Sequence, residues 1–321
     1  MNRVMLWVCV LAVALSPAAS AWAIGTPKLK WTHTKTTGSN HYYLNGNVDN
    51  GGVLDGQIGY GARWIDTYGY QRQHLSTTSF FTTGTKGAKA TVRLGDYYFV
   101  ASADKDGIGR FNAIDNVADN TFDAWSTASL VGPLNPPGIG LGGTESIVTD
   151  GTLLYMNDDS VQNAIHAYSV VNTGSDFTLT REWTAMLPAG GRVRGLYCHA
   201  ASGYLYMHNG GDGADGNNAD NKIYAISTGA EGGTVTEVGT HDSGKEYQVI
   251  RAKRQLLVAG TDGKVTVYKM TSNTSIEPTP EASYDLELGA IYGLAVIDGT
   301  LMVTSSGGKI SAFDISSADD R

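Results

Sequence analysis

The densest run of metal-competent side chains lies between residues 209 and 221: Asn-Gly-Gly-Asp-Gly-Ala-Asp-Gly-Asn-Asn-Ala-Asp-Asn. Asp212, Asp215 and Asp220, with the Asn amides between them, are hard oxygen donors of the kind Ca2+ accepts. Their spacing is not that of an EF-hand loop, which needs acids at alternate positions and a closing Glu. The same residue types also make a solvated turn. The shorter runs Asp104-Lys105-Asp106-Gly107 and Asn157-Asp158-Asp159 are turn formers first. A second set emerges once the apolar segments are aligned. His41 (or Tyr42), Lys89, Glu145, Arg194, Tyr247 and Tyr292 each stand where such a segment begins. Two cations, a carboxylate, a His and two tyrosines converging on one opening would make a ligand site. They equally describe a wet channel whose polar groups satisfy one another.

Catalytic constellations are absent from the sequence: no G-x-S-x-G, no H-E-x-x-H, no Cys/His metal spacing and no phosphate loop. Gly138-Ile139-Gly140-Leu141-Gly142-Gly143 follows Pro136-Pro137 and lacks the strand-then-helix context of a phosphate cradle, so it is a connection. Cys198 has apolar neighbours, Leu196 and Tyr197, and is expected to be a packed thiol, although Arg194 and His199 stand nearby. His166 sits inside a strand segment and is expected to be an exposed or packed residue rather than a ligand. A net charge of −8 disfavours nucleic acid, which demands a basic face, and no basic amphipathic segment points to anionic lipid.

The N-terminus carries an export signature. Met1-Asn2-Arg3 is basic, Val4 to Leu15 is apolar, and small residues lead to Ala21-Trp22-Ala23, which puts the cut before Ile24. Ala19-Ser20-Ala21 is a second site. The apolar run is too short for a spanning helix, which needs about 20 residues. Residues 1–23 are thus expected to be a signal peptide, and 24–321 an exported, soluble domain without a membrane span, periplasmic or extracellular.

What positions the polar residues is a repeat. Gly-Lys-Ile-Ser-Ala-Phe-Asp-Ile at 308–315 recurs as Gly-Lys-Val-Thr-Val-Tyr-Lys-Met at 263–270, Asn-Lys-Ile-Tyr-Ala-Ile-Ser-Thr at 221–228 and Asn-Ala-Ile-His-Ala-Tyr-Ser-Val at 163–170. Weaker copies at 107–113 and 62–67 complete six. The alignment puts Ile65, Phe111, Tyr168, Ile226, Tyr268 and Phe313 in one position, at intervals of 42 to 58 residues. That is close to the period of a four-stranded propeller blade. Each strong copy is preceded by strand, turn, strand, as in Tyr292–Ile297, Asp298-Gly299 and Leu301–Thr304. Asp-Gly between apolar runs marks a hairpin. Outer strands are expected at 122–126, 177–184, 234–240 and 282–286. The last unit lacks one, and Lys28-Leu29-Lys30-Trp31-Thr32-His33 resembles the others, so the N-terminus is expected to supply it. Trp31, Trp125 and Trp183 then share one position, as wedges between repeats.

This grammar predicts an all-β fold, a six-bladed β-propeller closed by its N-terminal strand. A seven-bladed ring and a sandwich are the alternatives. The closings Gly-Lys-Val-Thr-Val-Tyr and Gly-Lys-Ile-Ser-Ala-Phe-Asp resemble the broad β-propeller class with YVTN-type or quinoprotein-like repeats. The WD signature and the tryptophan motif of pyrroloquinoline-quinone enzymes are missing. Two functions follow as expectations. One is a binding or protein-interaction module using the channel-mouth face. The other is a hydrolase or lactonase-like enzyme with a divalent cation in the channel, Glu145 and His41 among its ligands. A quinone-holding redox propeller is the weaker third.

Overall fold

The computed structural model describes residues 23–32 and most of 146–316 with their side chains, and for 33–34 and between 41 and 134 largely the course of the strands. The fold is all β, built of antiparallel sheets, with no α-helix among the described residues. The chain opens with β1 (Lys28–Thr34). Then β2 (His41–Asn47), β3 (Val53–Ile58), β4 (Trp64–Gly69) and β5 (His74–Ser79) pair in that order. So do β6 (Ala88–Leu94), β7 (Tyr97–Ser102), β8 (Arg110–Asp115) and β9 (Val131–Leu134). A third sheet holds β10 (Ile147–Thr149), β11 (Leu153–Asp158), β12 (Ala164–Asn172) and β13 (Phe177–Met186). A fourth holds β14 (Leu196–His199), β15 (Tyr204–Asn209), β16 (Lys222–Ser227) and β17 (Val235–Thr240). In the next, β18 (Tyr247–Ala252), β19 (Gln255–Gly260) and β20 (Lys264–Ser272) are followed by β21 (Ser275–Ile276) and β22 (Ala282–Asp285), both on β20. The chain closes with β23 (Ile291–Ile297), β24 (Thr300–Ser305) and β25 (Lys309–Asp314). The outer edge of β25 takes β1, from Lys28 opposite Asp314 to Thr34 opposite Lys309. This is the pairing expected from the likeness of residues 28–33 to the outer strands.

Burial explains why the middle strands read as unbroken apolar runs. Every residue of β19 and β24 is buried, as are Leu153 to Asn157 of β11. Such strands must be covered on both faces, and the cores lie between sheets. One joins Ile250, Leu257 and Val265 to Leu294, Leu301 and Phe313; another joins Tyr155 and Ile165 to Leu205, Met207 and Tyr224. Outer strands such as β22 alternate half-buried and exposed residues. The first strands are neighbours in space: β2 with β6, β6 with β10, β10 with β14, β14 with β18, β18 with β23, and β23 with β2. Among the described residues no helix is long and apolar enough to cross a membrane.

The turns use the expected glycines, with one difference. Gly299 takes a φ of 68° and Gly151 one of 93°, as turn glycines between strands can. At Asp150-Gly151, however, the connection includes Thr152. Asp150 Oδ1 accepts from the N–H of Thr152 (2.8 Å) and of Leu153 (2.9 Å), so the carboxylate shapes the turn.

Trp183 is an inter-sheet wedge. It stacks on Tyr155 with 5.6 Å between ring centroids, and its Nε1 donates 2.7 Å to the carbonyl of Gly229 in the adjoining sheet. Gly233 approaches so closely that an added Cβ would lie 3.0 Å from the Trp183 ring. Trp31 and Trp183 do occupy one position: each faces the alanine before the third-strand aromatic, Ala312 and Ala167, beside a bulge. Trp125 lies outside the described residues.

The register corrects the weak repeats. Leu154 faces Tyr168, Leu205 faces Ile226, Leu256 faces Tyr268 and Leu301 faces Phe313. The same place is held by Tyr68, opposite Leu54, and Ile114, opposite Tyr98. It is not held by Ile65 and Phe111, which face Gln57 and Ala101. The fourth strand of the second sheet is β9, not the 122–126 segment, which lies outside the described residues. β5 and β21 had no sequence expectation.

Trp31 is half-buried against Ala295, Met302, Ile310 and Ala312. Trp31→Ala is expected to cost about 2 kcal/mol, below the value for a fully buried ring. At this size that lowers Tm by about 3 °C. Calorimetry giving the parental Tm would contradict the packing of β1.

Candidate functional site

The N-terminal ends of the first strands share a backbone irregularity. In β23, Ile291 faces Ser305 and Gly293 faces Thr304, which leaves Tyr292 as an extra residue. In β6, Ala88 faces Ser102 and Ala90 faces Ala101, leaving Lys89. In β2, His41 faces Ile58 and Tyr43 faces Gln57, leaving Tyr42. All three bulges lie opposite the last two residues of the second strand. They fall on three first strands that are neighbours in space. Bulges bend a strand and re-aim a side chain, and they favour functional sites. β18 pairs to the end of β19 without such a shift, and in β10 and β14 the described pairing stops short of the equivalent place.

This end of the sheets is polar and buried. Thr304 and Ser305, opposite the Tyr292 bulge, are fully buried, yet among the described residues their hydroxyls have no hydrogen-bond partner. An unsatisfied buried polar group costs about 1–3 kcal/mol, so it requires a reason such as a water or a ligand. Further round, Ser146 links two sheets. Its backbone N–H donates 2.7 Å to Asn157 Oδ1, and its Oγ accepts from the N–H of Leu196 at 3.2 Å. Gly195, before β14, lets β18 approach: an added Cβ would lie 2.5 Å from Gln248 Oε1.

The sequence-predicted set is brought together only in part. Lys89 and Tyr292 are equivalent bulge residues, and Tyr292 is half-buried. His41 and Tyr247 open β2 and β18. Glu145 and Arg194 lie just before β10 and β14, outside the described residues, as do Asp212, Asp215 and Asp220. Among the described residues no three His, Cys, Asp or Glu side chains form a group fit for a metal. His166 is packed, buried with Nδ1 2.8 Å from Thr184 Oγ1.

Sequence reasoning missed a polar cluster at the opposite strand ends. Tyr197 faces Tyr206 and His199 faces Tyr204 across β14 and β15. Paired residues share a sheet face, so these four rings line the side toward β18. Arg251 of β18 donates from Nη1 to Tyr206 Oη (3.0 Å) and Asn273 Oδ1 (2.9 Å). Tyr206 Oη donates 2.8 Å to the Asn273 carbonyl, and Tyr197 Oη 3.2 Å to that of Arg251. Burial, then the Arg251 charge, holds the His199 imidazole below its ordinary range. Burial pushes the Tyr197 phenol far up, which keeps it a donor. Burial, seconded by the charge of Asp150, pushes the Cys198 thiol far up as well. The half-buried Cys198 is thus an inert packed thiol, as its neighbours suggested.

No protein-family model matches the chain, and no curated protein matches it.

Cys198 is expected to react with a neutral disulfide reagent at pH 8 at least about tenfold more slowly than the denatured chain, because thiolate is the reactive form. An equal rate would contradict its burial. By NMR, His199 should titrate below an ordinary imidazole, and Arg251→Met should raise its midpoint only part of the way, since burial is the larger cause. A folded value below the unfolded one means this group adds stability above the unfolded value. That stability is lost as pH falls toward the folded one.

Proposed function

We propose that this protein is an exported six-bladed β-propeller that acts by binding, through the face formed by the N-terminal ends of its first strands. The ring is supported by the circuit of first-strand neighbours that returns from β23 to β2, and by β1 completing the sheet of β25. Export is supported by the basic start, apolar run and small-residue stretch of residues 1–23. The observation that carries the binding face is the set of aligned bulges at Tyr42, Lys89 and Tyr292, one of them beside two buried, unpartnered hydroxyls. Regular sheet pairing has no need of an extra residue at the same place in three adjoining strands. A partner rich in hydrogen-bond acceptors suits a Lys, two Tyr and two free hydroxyls.

Two measurements test this reading. Protein recovered from the exported fraction and dialysed should carry far less than one metal ion per chain. Stoichiometric metal that disappears in Glu145→Ala would instead favour the hydrolase with a channel cation. In a thermal-shift panel of sugars, dicarboxylates and short peptides, a ligand that raises Tm should lose its effect in Lys89→Ala and Ser305→Ala. A shift that both variants retain in full would place binding elsewhere.

A further inference from the structure

The chain approaches its first strand through Ile24 and Gly25, and both are tightly held. The Ile24 side chain is buried in the core shared by β18–β20 and β23–β25, with Ile250, Leu257, Leu301 and Phe313. Its backbone nitrogen donates 2.8 Å to Oε1 of Gln255. Gln255 is itself 3% exposed, and its Nε2 donates 2.6 Å to Oε2 of Glu281 at the surface. Gly25 donates 2.7 Å to the carbonyl of Ile315, and an added Cβ there would lie 2.3 Å from the Ser316 oxygen. The backbone at 24–25 therefore has a built seat: an apolar socket, a buried acceptor for one nitrogen, and a carboxylate directly behind that acceptor.

An interior peptide nitrogen has one proton to give and no charge to balance. An α-ammonium has three protons and a charge, which is costly to bury without a partner. The sequence offers two cleavable positions, after Ala23 and after Ala21. Only the first makes nitrogen 24 an ammonium. We infer that the Ala23–Ile24 bond is the processing site, and that the Ile24 ammonium released there is bound by Gln255 and Glu281 as a latch on the mature fold. Hydrolysis breaks the Ala23 carbonyl carbon–Ile24 nitrogen bond and consumes one water. Ala23 leaves as a carboxylate, and the nitrogen takes up protons to become the ammonium. One of its N–H groups keeps Gln255 Oε1, and its charge lies one amide group away from the Glu281 carboxylate. The inference rests on the export reading.

Export from a secreting host followed by intact-mass measurement should give a chain beginning at Ile24. Its α-amine should react with an amine reagent at pH 7 at least about tenfold more slowly than in denaturant. A chain made to retain Trp22-Ala23 should melt about 2 °C lower. Glu281→Gln, at an exposed position, should lower the Tm of the chain beginning at Ile24 more than that of the retained-residue chain, and so narrow that gap. An exported chain beginning at Trp22 would overturn the site. A start at Ile24 with a freely labelled amine and no Tm gap would overturn the latch. Failure of export altogether would overturn the reading beneath both.

Discussion

The pairing of β1 with β25 joins the two ends of the described chain, and the last sheet depends on it. Thr32 and Ser311, whose hydroxyls meet at 2.8 Å, are 279 residues apart. Closing so long a loop costs only about 4 kcal/mol more than closing a hairpin, because the penalty grows with the logarithm of length. Six paired residues and the Trp31 contact surface offset that, at about 1 kcal/mol per net hydrogen bond. Without β1, the outer edge of β25 would be an unpaired row of backbone groups, the hazard that sheet proteins avoid. The same pairing draws Ile24 and Gly25 against Gln255 and Ile315, so the start of the described chain is bolted to two sheets.

From this constraint the packing follows. From β10 onward, each described sheet has two apolar faces along its second strand and cannot be stable by itself. The cores lie between sheets, and wedges such as Trp183 and Tyr155 fasten one sheet to the turn of the next. Gly229 donates 2.9 Å to Tyr155 Oη, which donates to Asp150 at 2.5 Å, so a single phenol bridges two sheets. Burial and the Asp150 bond both push that phenol up and keep its proton in place.

The strong repeats were legible because their third strands carry a large apolar or aromatic residue against an equivalent leucine. Tyr168, Ile226, Tyr268 and Phe313 hold one register, and an apolar face fixes register firmly. The first two repeats were misread by three residues, Ile65 for Tyr68 and Phe111 for Ile114. Their strands mix Gly, Asn, Asp and Thr with few aliphatics, and a weak alternation does not resist slippage. At the candidate site, His41 and Tyr247 were legible as strand openings; Lys89 and Tyr292 lie one residue further in, while Glu145 and Arg194 lie outside the described residues. The bulges that single out Lys89 and Tyr292 were not legible, since one extra residue leaves no mark in a sequence. Arg251, Tyr206 and Asn273 meet only across two sheets, so no spacing along the chain could reveal them.

The account stands on β1 lying against β25, and a cross-link reads that contact directly. With Cys198→Ser, the pair Thr32→Cys and Ser311→Cys should form an intramolecular disulfide on mild oxidation of the exported chain. It should raise Tm, since bridging so long a loop stabilises by up to about 5 kcal/mol. Thiols that stay reduced, or that bridge only between molecules, would show that the N-terminal strand lies elsewhere.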